Sequence, residues 1–348
     1  LKTMSLFSEI SEQPERIQAL LENQRKTVEG IAAAIRGRDI SYAFLAARGT
    51  SDNAGRYANY LWGARNGLPL ALATPSLFTY YRTPPRLKNA LVVGISQSGQ
   101  SPDIVSVLEE GRKQGSVTLA ITNEPNSPLA SAADFVLDIQ AGPEKAVAAT
   151  KTYTTELMTI AMLSVAMNGS KEDWKDLGQV GKWMKQTLKQ NDLIEQAAQR
   201  YRYMRQCVVL GRGFNYATAF EWALKLKELT YVEAEPYSSA DFQHGPIAML
   251  ERGFPVMVVA PQGKVFASML DLMVRLRKDI LAELLVISNA KKALSLAQTP
   301  ISIPAEVPEW LSPLVGILPA QLLSYHLTRA KGFNTEAPRS IRKVTETK

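Results

Sequence analysis

The stretch Gly94-Ile-Ser-Gln-Ser-Gly-Gln-Ser101 joins an apolar run, residues 90–93, to a helical pattern that opens at Asp103. An uninterrupted apolar run of this kind is typical of a buried parallel strand. The stretch is therefore predicted to be a strand-to-helix turn. It carries the hydroxyls of Ser96, Ser98 and Ser101.

The predicted turn has the features of a phosphate cradle. Gly94 and Gly99 allow the backbone to bend and to approach a ligand closely. The free N–H groups and the dipole of the helix start favour a negative charge there. The glycine and lysine spacings of a Walker A loop and of a dinucleotide fingerprint are both missing. A phosphate site is the favoured interpretation, and an ordinary serine-rich turn is the alternative.

Strands and helices alternate along the first half of the chain. A helix is predicted from Pro14 to about Arg36, then a strand over 42–47 and a helix that resumes at about Asn53. Further strands are predicted over 117–122 and 135–139. This alternation predicts an α/β fold in which a parallel sheet has helices on both faces, a three-layer, flavodoxin-like or Rossmann-like sandwich.

An internal repeat shows that this α/β unit occurs twice. The string at 45–49 reappears at 209–213, an offset of 164 residues that also aligns Val93 with Met257. The strand at 119–123 matches 285–289 at an offset of 166. The predicted organisation is an N-terminal helical segment 1–36, a first domain 37–170, a helical linker 171–202, a second domain 203–335 and a C-terminal tail 336–348.

The two copies differ in their polar residues. Ser96 and Ser98 of the first copy face Ala260 and Gln262 in the second. The second copy instead holds a lysine, a glutamate and a histidine that have no matching residue types in the first: Lys225, Glu228 and His244. We expect the first half to anchor a phosphate and the second half to supply the chemistry.

Composition limits the classes of function. The net charge of +7 is carried by no long basic run, so we expect it to attract anionic substrates and predict no nucleic-acid partner. No apolar run reaches the roughly 18 residues that a membrane span needs. The single cysteine, Cys207, excludes an internal disulfide and a cysteine metal site and is predicted to be a buried thiol. A cytoplasmic location is expected.

Seven strings, in order, resemble the sugar isomerase (SIS) family. They are E-I-S-E-Q-P at 9–14, R-G-T-S at 48–51, S-Q-S-G-Q-S at 96–101, V-A-A-T-K at 147–151, A-L-K-L-K-E at 223–228, H-G-P at 244–246 and P-R-S-I-R-K-V-T at 338–345. The resemblance covers nearly the whole chain and implies two tandem SIS domains. The chain resembles, in its tandem arrangement, the isomerase half of glutamine:fructose-6-phosphate amidotransferase.

The resemblance also implies roles for single residues. Ser96, Gln97, Ser98 and Ser101 match phosphate-binding positions, and Thr50, Ser51 and Val147 match positions that contact the sugar. Glu228 matches the base that moves a proton between C1 and C2, and Lys225 matches a further active-site lysine. His244 matches a ring-opening histidine that reaches the site from the neighbouring subunit, which implies a homodimer. Lys343 matches a lysine able to form a Schiff base with the open ketose.

Departures from the amidotransferase pattern guide the expected reaction. Ala149 stands where that family has a sugar-binding serine, and G-P-E-K at 142–145 looks more like single-enzyme SIS members such as isomerase-type glucosamine-6-phosphate deaminases. No glutaminase half precedes the SIS unit in this sequence. The expected reaction therefore converts glucosamine 6-phosphate to fructose 6-phosphate and ammonia, with no metal and no organic cofactor.

Plainer interpretations stand beside these. His244 fits a loop histidine, Glu228 a solvated helix face and Lys343 a mobile tail, while His326 lies in an apolar helical run and is predicted to be structural. Other functions left open are a fructosamine-phosphate deglycase, the amidotransferase itself, a non-catalytic sugar-phosphate sensor and a structural homodimer. A sensor usually carries a DNA-binding domain, and residues 1–40 show no helix-turn-helix pattern.

Overall fold

Ten strands form two parallel sheets of five in the computed structural model, which describes residues 5–343. The first sheet contains β1 (Tyr42–Ala46), β2 (Leu70–Leu72), β3 (Ala90–Ile95), β4 (Val117–Thr122) and β5 (Phe135–Asp138). The second contains β6 (Gln206–Gly211), β7 (Glu233–Ser238), β8 (Pro255–Val259), β9 (Glu283–Ser288) and β10 (Thr299–Ser302).

Both sheets follow the same path, which confirms the internal repeat. The strand order is β2-β1-β3-β4-β5 in the first and β10-β9-β8-β6-β7 in the second, the doubly wound order 2-1-3-4-5 in each case. Leu45 pairs with Val93 and Val209 pairs with Met257, at the predicted offset of 164. The next pair, Val93 with Leu119, recurs as Met257 with Leu285, the latter shifted by 166.

Helices occupy most of the chain between the strands. Those up to residue 168 are α1 (Leu6–Ser11), α2 (Gln13–Arg36), α3 (Gly49–Asn66), α4 (Ser76–Thr79), α5 (Pro102–Lys113), α6 (Pro128–Ser131) and α7 (Lys151–Asn168). The remaining ones are α8 (Lys171–Leu188), α9 (Asn191–Arg200), α10 (Asn215–Lys225), α11 (Ser239–Gln243), α12 (Phe266–Arg275), α13 (Lys291–Leu294) and α14 (Ser312–Ala330). Two π-helical turns, Leu226–Thr230 and Leu276–Ile280, continue α10 and α12, and 3-10 turns cover Pro246–Met249 and Glu309–Leu311.

The strands are apolar because helices cover both sides of each sheet. All six residues of β3 are buried, as expected for a central parallel strand. Gly94 within β3 is needed for close packing, since a Cβ there would lie 2.7 Å from Leu108 of α5 and 2.8 Å from Leu129 of α6. This packing fixes the start of α5 directly beyond the end of β3.

The second sheet has its own core. Val208, Val256 and Val286 from three adjacent strands pack with Met273 of α12. Cys207, which precedes Val208 in β6, is buried as predicted, and burial raises the pKa of its thiol to about 12. At neutral pH this thiol is protonated and has a packing role.

The described chain forms two compact units. One comprises residues 5–14, 145–150 and 179–341, and the other comprises residues 15–144, 151–178 and 342–343. Across residues 5–343, none of the helices combines the length and the apolar character needed to cross a membrane.

Two predicted segments differ in detail. Helix α3 begins at Gly49 and not at about Asn53, because Arg48 has the extended backbone of an N-cap and Gly49 opens the first turn. Thr50 and Ser51 therefore lie in the first helical turn. The charged segment after residue 170 is helical as predicted, but it divides into α8 and α9.

Candidate active site

The turn between β3 and α5 positions two serine hydroxyls through the backbone. Ser96 Oγ accepts a hydrogen bond from Gly99 N at 3.2 Å, and Ser98 Oγ accepts one from Gln100 N at 3.3 Å. A hydroxyl that accepts from an amide still has its own hydrogen to donate. Both hydroxyls therefore retain a hydrogen that a phosphate oxygen can accept.

Gly99 is required at the centre of this turn. Its φ is +60°, a left-handed conformation that favours glycine. A Cβ at this position would lie 2.0 Å from Ser127 Oγ, so any side chain would displace the neighbouring loop. Gly99 O also accepts a hydrogen bond from Leu129 N at 3.1 Å. The turn is thus held against the start of α6 and is a pre-formed structure.

Ser101 is the N-cap of α5, and its backbone is extended. In the described part of the chain, the Ser101 side chain makes no capping hydrogen bond to α5. Asp103 in the first turn is fully buried, and its Oδ2 lies 2.8 Å from both Nε and Nη2 of Arg48. Arg48 ends the β1–α3 connection, so this ion pair joins that connection to the first turn of α5 and balances the carboxylate there.

A cavity of about 310 Å³ opens beside the turn. It brings together three predicted site residues, Gln97, Ser98 and Lys343. Gln100, Glu124, Asn126 and Ser127 complete its lining. Lys343 therefore lies at the same cavity as the turn that is predicted to bind phosphate.

Lys343 is held by a buried carboxylate. Its Nζ lies 2.6 Å from Glu144 Oε2, and the Glu144 side chain is fully buried. Thr152 fixes the carboxylate, because its N donates to Oε1 at 3.1 Å and its Oγ1 donates to Oε2 at 2.8 Å. These contacts disagree with a solvated, mobile position for Lys343.

The segment before Lys343 is also anchored. Arg339 N donates to Tyr231 Oη at 2.9 Å, and the Arg339 guanidinium lies 3.9 Å from the centre of the Tyr231 ring. Tyr231 directly follows the π-helical turn that contains Glu228.

The predicted sugar-contacting residues occupy different environments. Ser51 is buried, and its Oγ donates to Glu156 Oε1 at 2.8 Å. Thr50 is half-buried in the first turn of α3. Val147 is half-buried in the connection between β5 and α7. The roles of these residues remain predictions.

The corresponding turn of the second half is closed by a carboxylate of the protein itself. Ala260 N donates to Ile287 O just as Ser96 N donates to Ile121 O, so the two turns start in the same way. Glu309 Oε2 then accepts from Lys264 N at 2.9 Å and Oε1 from Val265 N at 3.4 Å. These amides precede α12, so the Glu309 carboxylate places a negative charge at the turn of this half.

Glu228 and Lys225 form an ion pair at the end of α10. Lys225 Nζ lies 2.5 Å from Glu228 Oε2 and 3.4 Å from Glu221 Oε1. Lys225 and Glu221 are buried, whereas the Glu228 side chain is 23% exposed. Glu228 lies in the π-helical turn Leu226–Thr230, a rare element that is often found at functional sites. A partly exposed carboxylate oriented by a buried cation differs from the solvated helix face considered above.

The two histidines are in opposite environments. His244 ends α11 and is exposed, in keeping with the predicted accessible position. His326 of α14 is buried, with Nε2 2.8 Å from Asn191 Oδ1, and burial lowers its pKa. His326 is thus buried in a largely apolar helix, and its structural role stays a prediction. Among residues 5–343, no three His, Cys, Asp or Glu side chains are grouped as a metal ion would need.

Three carboxylates of these clusters were not predicted as site residues. Glu221 lies four residues before Lys225, a helical spacing that sequence could have indicated. Glu144 lies in the noted G-P-E-K string but 199 residues from its partner Lys343. Glu309 closes a turn 44 residues before it, and nothing in the local sequence indicates this contact.

The chain is similar to known proteins along most of its length. The model of the SIS domain family matches residues 38–166 and 201–330. The chain belongs to the SIS domain family. The glutamine–fructose-6-phosphate aminotransferase (isomerizing) of Thermococcus kodakarensis is 32% identical over 97% of this chain. The chain spans 57% of that enzyme's length.

Solved structures agree with the tandem SIS fold. The C-terminal domain of glucosamine-fructose-6-phosphate aminotransferase from Francisella tularensis has a TM-score of 0.84 at 27% identity, with 96% of this chain and 98% of that one covered. Glucosamine-6-phosphate deaminase from Thermotoga maritima has a TM-score of 0.77 at 20% identity, with 98% and 99% covered, and this likeness concerns the fold alone.

Proposed function

We propose that this SIS protein is a glucosamine-6-phosphate deaminase of the isomerising type, which forms fructose 6-phosphate and ammonia. One observation carries the proposal: the 310 Å³ cavity is lined both by Ser98, in the turn that is predicted to bind phosphate, and by the primary amine of Lys343. A phosphorylated sugar that presents an open-chain carbonyl or imine suits both groups, because the turn binds the phosphate and the amine reacts at carbon.

The proposed reaction gives a role to each of the predicted catalytic and phosphate-binding residues that it names. The phosphate is anchored at Ser96, Ser98 and Ser101, and His244 assists ring opening. Glu228 removes the C2 proton of the aldose and returns it to C1, which leaves an imine at C2. Addition of water to this imine, directly or through Lys343, gives fructose 6-phosphate and ammonia. Substrate and water together balance the two products.

A second candidate is the isomerase reaction of the aminotransferase relatives. The 32% identity over 97% of this chain favours it, and the chemistry at C1 and C2 is shared. The two reactions differ in direction, because this one consumes fructose 6-phosphate and ammonia and forms glucosamine 6-phosphate.

Release of ammonia is the measurement that tests the proposal. The purified protein is incubated without glutamine with glucosamine 6-phosphate, and in parallel with a fructosamine phosphate. We expect ammonia and fructose 6-phosphate from the first substrate. Cleavage of the second substrate alone would indicate a deglycase, and tight binding of glucosamine 6-phosphate without turnover would indicate a sensor. Either result would contradict the deaminase proposal.

Phosphate anchoring is expected in the first half only. Ser98→Ala should weaken the binding of fructose 6-phosphate, because one hydrogen bond to a charged group contributes about 1.5–3 kcal/mol. Gln262→Ala, the matched change in the second half, should leave the affinity unchanged, since Glu309 already occupies that turn. Calorimetry on both variants checks this, and equal losses of affinity would contradict it.

Shared active sites in a homodimer are a further expectation, which rests on the role that the family assigns to His244. His244→Ala and Glu228→Gln are each expected to be inactive alone. After subunit exchange, a mixture should regain activity because one site of each heterodimer has both residues intact. Native mass spectrometry confirms that exchange has occurred, and exchange without recovered activity would count against shared sites.

A further inference from the structure

We infer that Glu144 positions the Lys343 amine for covalent reaction with the sugar phosphate bound at the Ser98 cavity. This inference rests on the proposed function and names the residue that controls its lysine. Glu144 touches the lysine and not the sugar, so its role is that of a positioning residue.

The contacts around Glu144 show a built arrangement. The carboxylate is fully buried and lies 2.6 Å from Lys343 Nζ. Two hydrogen bonds from Thr152, at 3.1 Å and 2.8 Å, hold its two oxygens. The Lys343 side chain is 23% exposed and reaches the cavity that Ser98 lines. A long lysine side chain loses considerable rotamer entropy when it is fixed, so a buried anchor is needed to hold it there.

The internal repeat supports the same assignment independently. Glu144 lies in the connection between β5 and α7, and Glu309 lies in the matching connection between β10 and α14. In the second half, the Glu309 carboxylate reaches the turn and closes it against anions. In the first half, the carboxylate at this place binds a lysine instead, and the turn stays open to a phosphate. Matching connections of the two halves thus each hold a carboxylate, with backbone amides as its partners in the second half and Lys343 as a partner in the first.

The chemistry of the step requires a base next to the lysine. The Lys343 ammonium gives one proton to the Glu144 carboxylate, and the freed nitrogen lone pair forms a bond to C2 of fructose 6-phosphate. The π electrons of the carbonyl move to its oxygen, which takes up one proton from the attacking nitrogen and one returned by Glu144, and leaves as water, so that an iminium ion remains. From the C2 imine of the amino sugar, the same attack expels ammonia, and water then releases the lysine. The carboxylate also faces the positive charge of the iminium.

Trapping of the iminium tests this role. The full-length chain is mixed with fructose 6-phosphate and sodium cyanoborohydride, and the rate of adduct formation at Lys343 is followed by peptide mass spectrometry. We expect an adduct in the wild type and none in Lys343→Met. Glu144→Gln should form it about 100-fold more slowly, the low end of what loss of a proton-transfer group costs. Its affinity for fructose 6-phosphate should change less than twofold, because the turn at Ser98 is intact.

Glu9→Gln is the matched control. The buried Glu9 carboxylate accepts hydrogen bonds from Lys145 N at 2.6 Å and from Ala146 N at 3.3 Å, directly beside Glu144. This variant loosens the same segment but leaves the ion pair, so it should keep most of the wild-type rate. Equal losses in Glu9→Gln and Glu144→Gln would overturn the inference, as would a wild-type rate in Glu144→Gln.

Two further outcomes separate the inference from the proposed function. Ammonia release without any adduct at Lys343 would overturn the inference and leave the deaminase proposal standing. Adduct formation at Lys343 without ammonia release would support the inference and contradict the deaminase proposal. Should Glu144→Gln not fold, Glu144→Asp replaces it, because a shorter carboxylate retains the proton acceptor at a longer distance. A rate for Glu144→Asp between those of the wild type and Lys343→Met supports the inference, and a rate equal to that of the wild type contradicts it.

Discussion

Glu228→Gln is expected to abolish ammonia release while the protein still binds its sugar phosphate. The amide keeps the size of the side chain and can still contact Lys225, which lies 2.5 Å from the carboxylate in the wild type. It cannot accept the C2 proton. Loss of a general base typically lowers the rate by about 10²–10⁴-fold, so kcat should fall by that factor.

Binding separates this result from a general loss of structure. The phosphate contacts proposed for Ser96 and Ser98 do not involve Glu228, so the affinity for fructose 6-phosphate should change little. A fall in kcat without a matching loss of affinity is the pattern of an interaction made in the transition state. Calorimetry and steady-state kinetics on the same preparation measure both quantities. Glu251→Gln, at an exposed carboxylate of the second half, is the control and should keep full activity.

Deuterium from the solvent adds a test of the step itself. In heavy water the wild type should place deuterium at C1 of fructose 6-phosphate, provided that the proton on Glu228 exchanges before its return. Mass spectrometry of the product measures this. Glu228→Gln should give no labelled product, and substantial turnover in that variant would assign the proton transfer to another residue.

The fold could be predicted because its signals are local and occur twice. Residues 90–95 are apolar throughout, as is typical of a strand buried on both faces, and residues 117–122 are apolar except for two threonines. The offset of 164 residues then predicted a second sheet, and the pairing of Val209 with Met257 confirms that register. The limits of β1, β3, β4 and β5 were predicted to within two residues, whereas β2, β7 and β10 were not predicted. The predicted start of α3 was wrong, since glycine at position 49 favours a turn over a helix.

Much of the candidate site could not be predicted because its contacts are distant in sequence or depend on unusual backbone geometry. The partner of Lys343 lies 199 residues away, and only the folded chain brings Glu144 to it. The π-helical turn at Leu226–Thr230 gives no sequence signal, yet it sets the orientation of Glu228 beside Lys225. The absence of hydroxyls at Ala260 and Gln262 could be seen in the sequence. The contact of the Glu309 carboxylate with the amides of the same turn could not.

Lys225→Met is expected to destabilise the second half strongly. Lys225 is 1% exposed and lies 3.4 Å from Glu221 Oε1, whose side chain is fully buried. Methionine fills a similar volume but removes the positive charge that balances Glu221. Breaking a buried ion pair by removal of one partner costs about 3–5 kcal/mol. The free energy of unfolding, measured by urea denaturation, should fall by this amount.

Two variants distinguish the loss of charge from a packing defect. Lys227→Met changes an exposed lysine in the adjacent π-helical turn and should alter stability by less than about 0.5 kcal/mol. Lys225→Met combined with Glu221→Leu removes both buried charges and should recover much of the lost stability, because an apolar pair in place of a buried ion pair is often neutral. If the double variant were as unstable as Lys225→Met alone, the destabilisation would come from packing around Lys225 and not from an unbalanced carboxylate at Glu221.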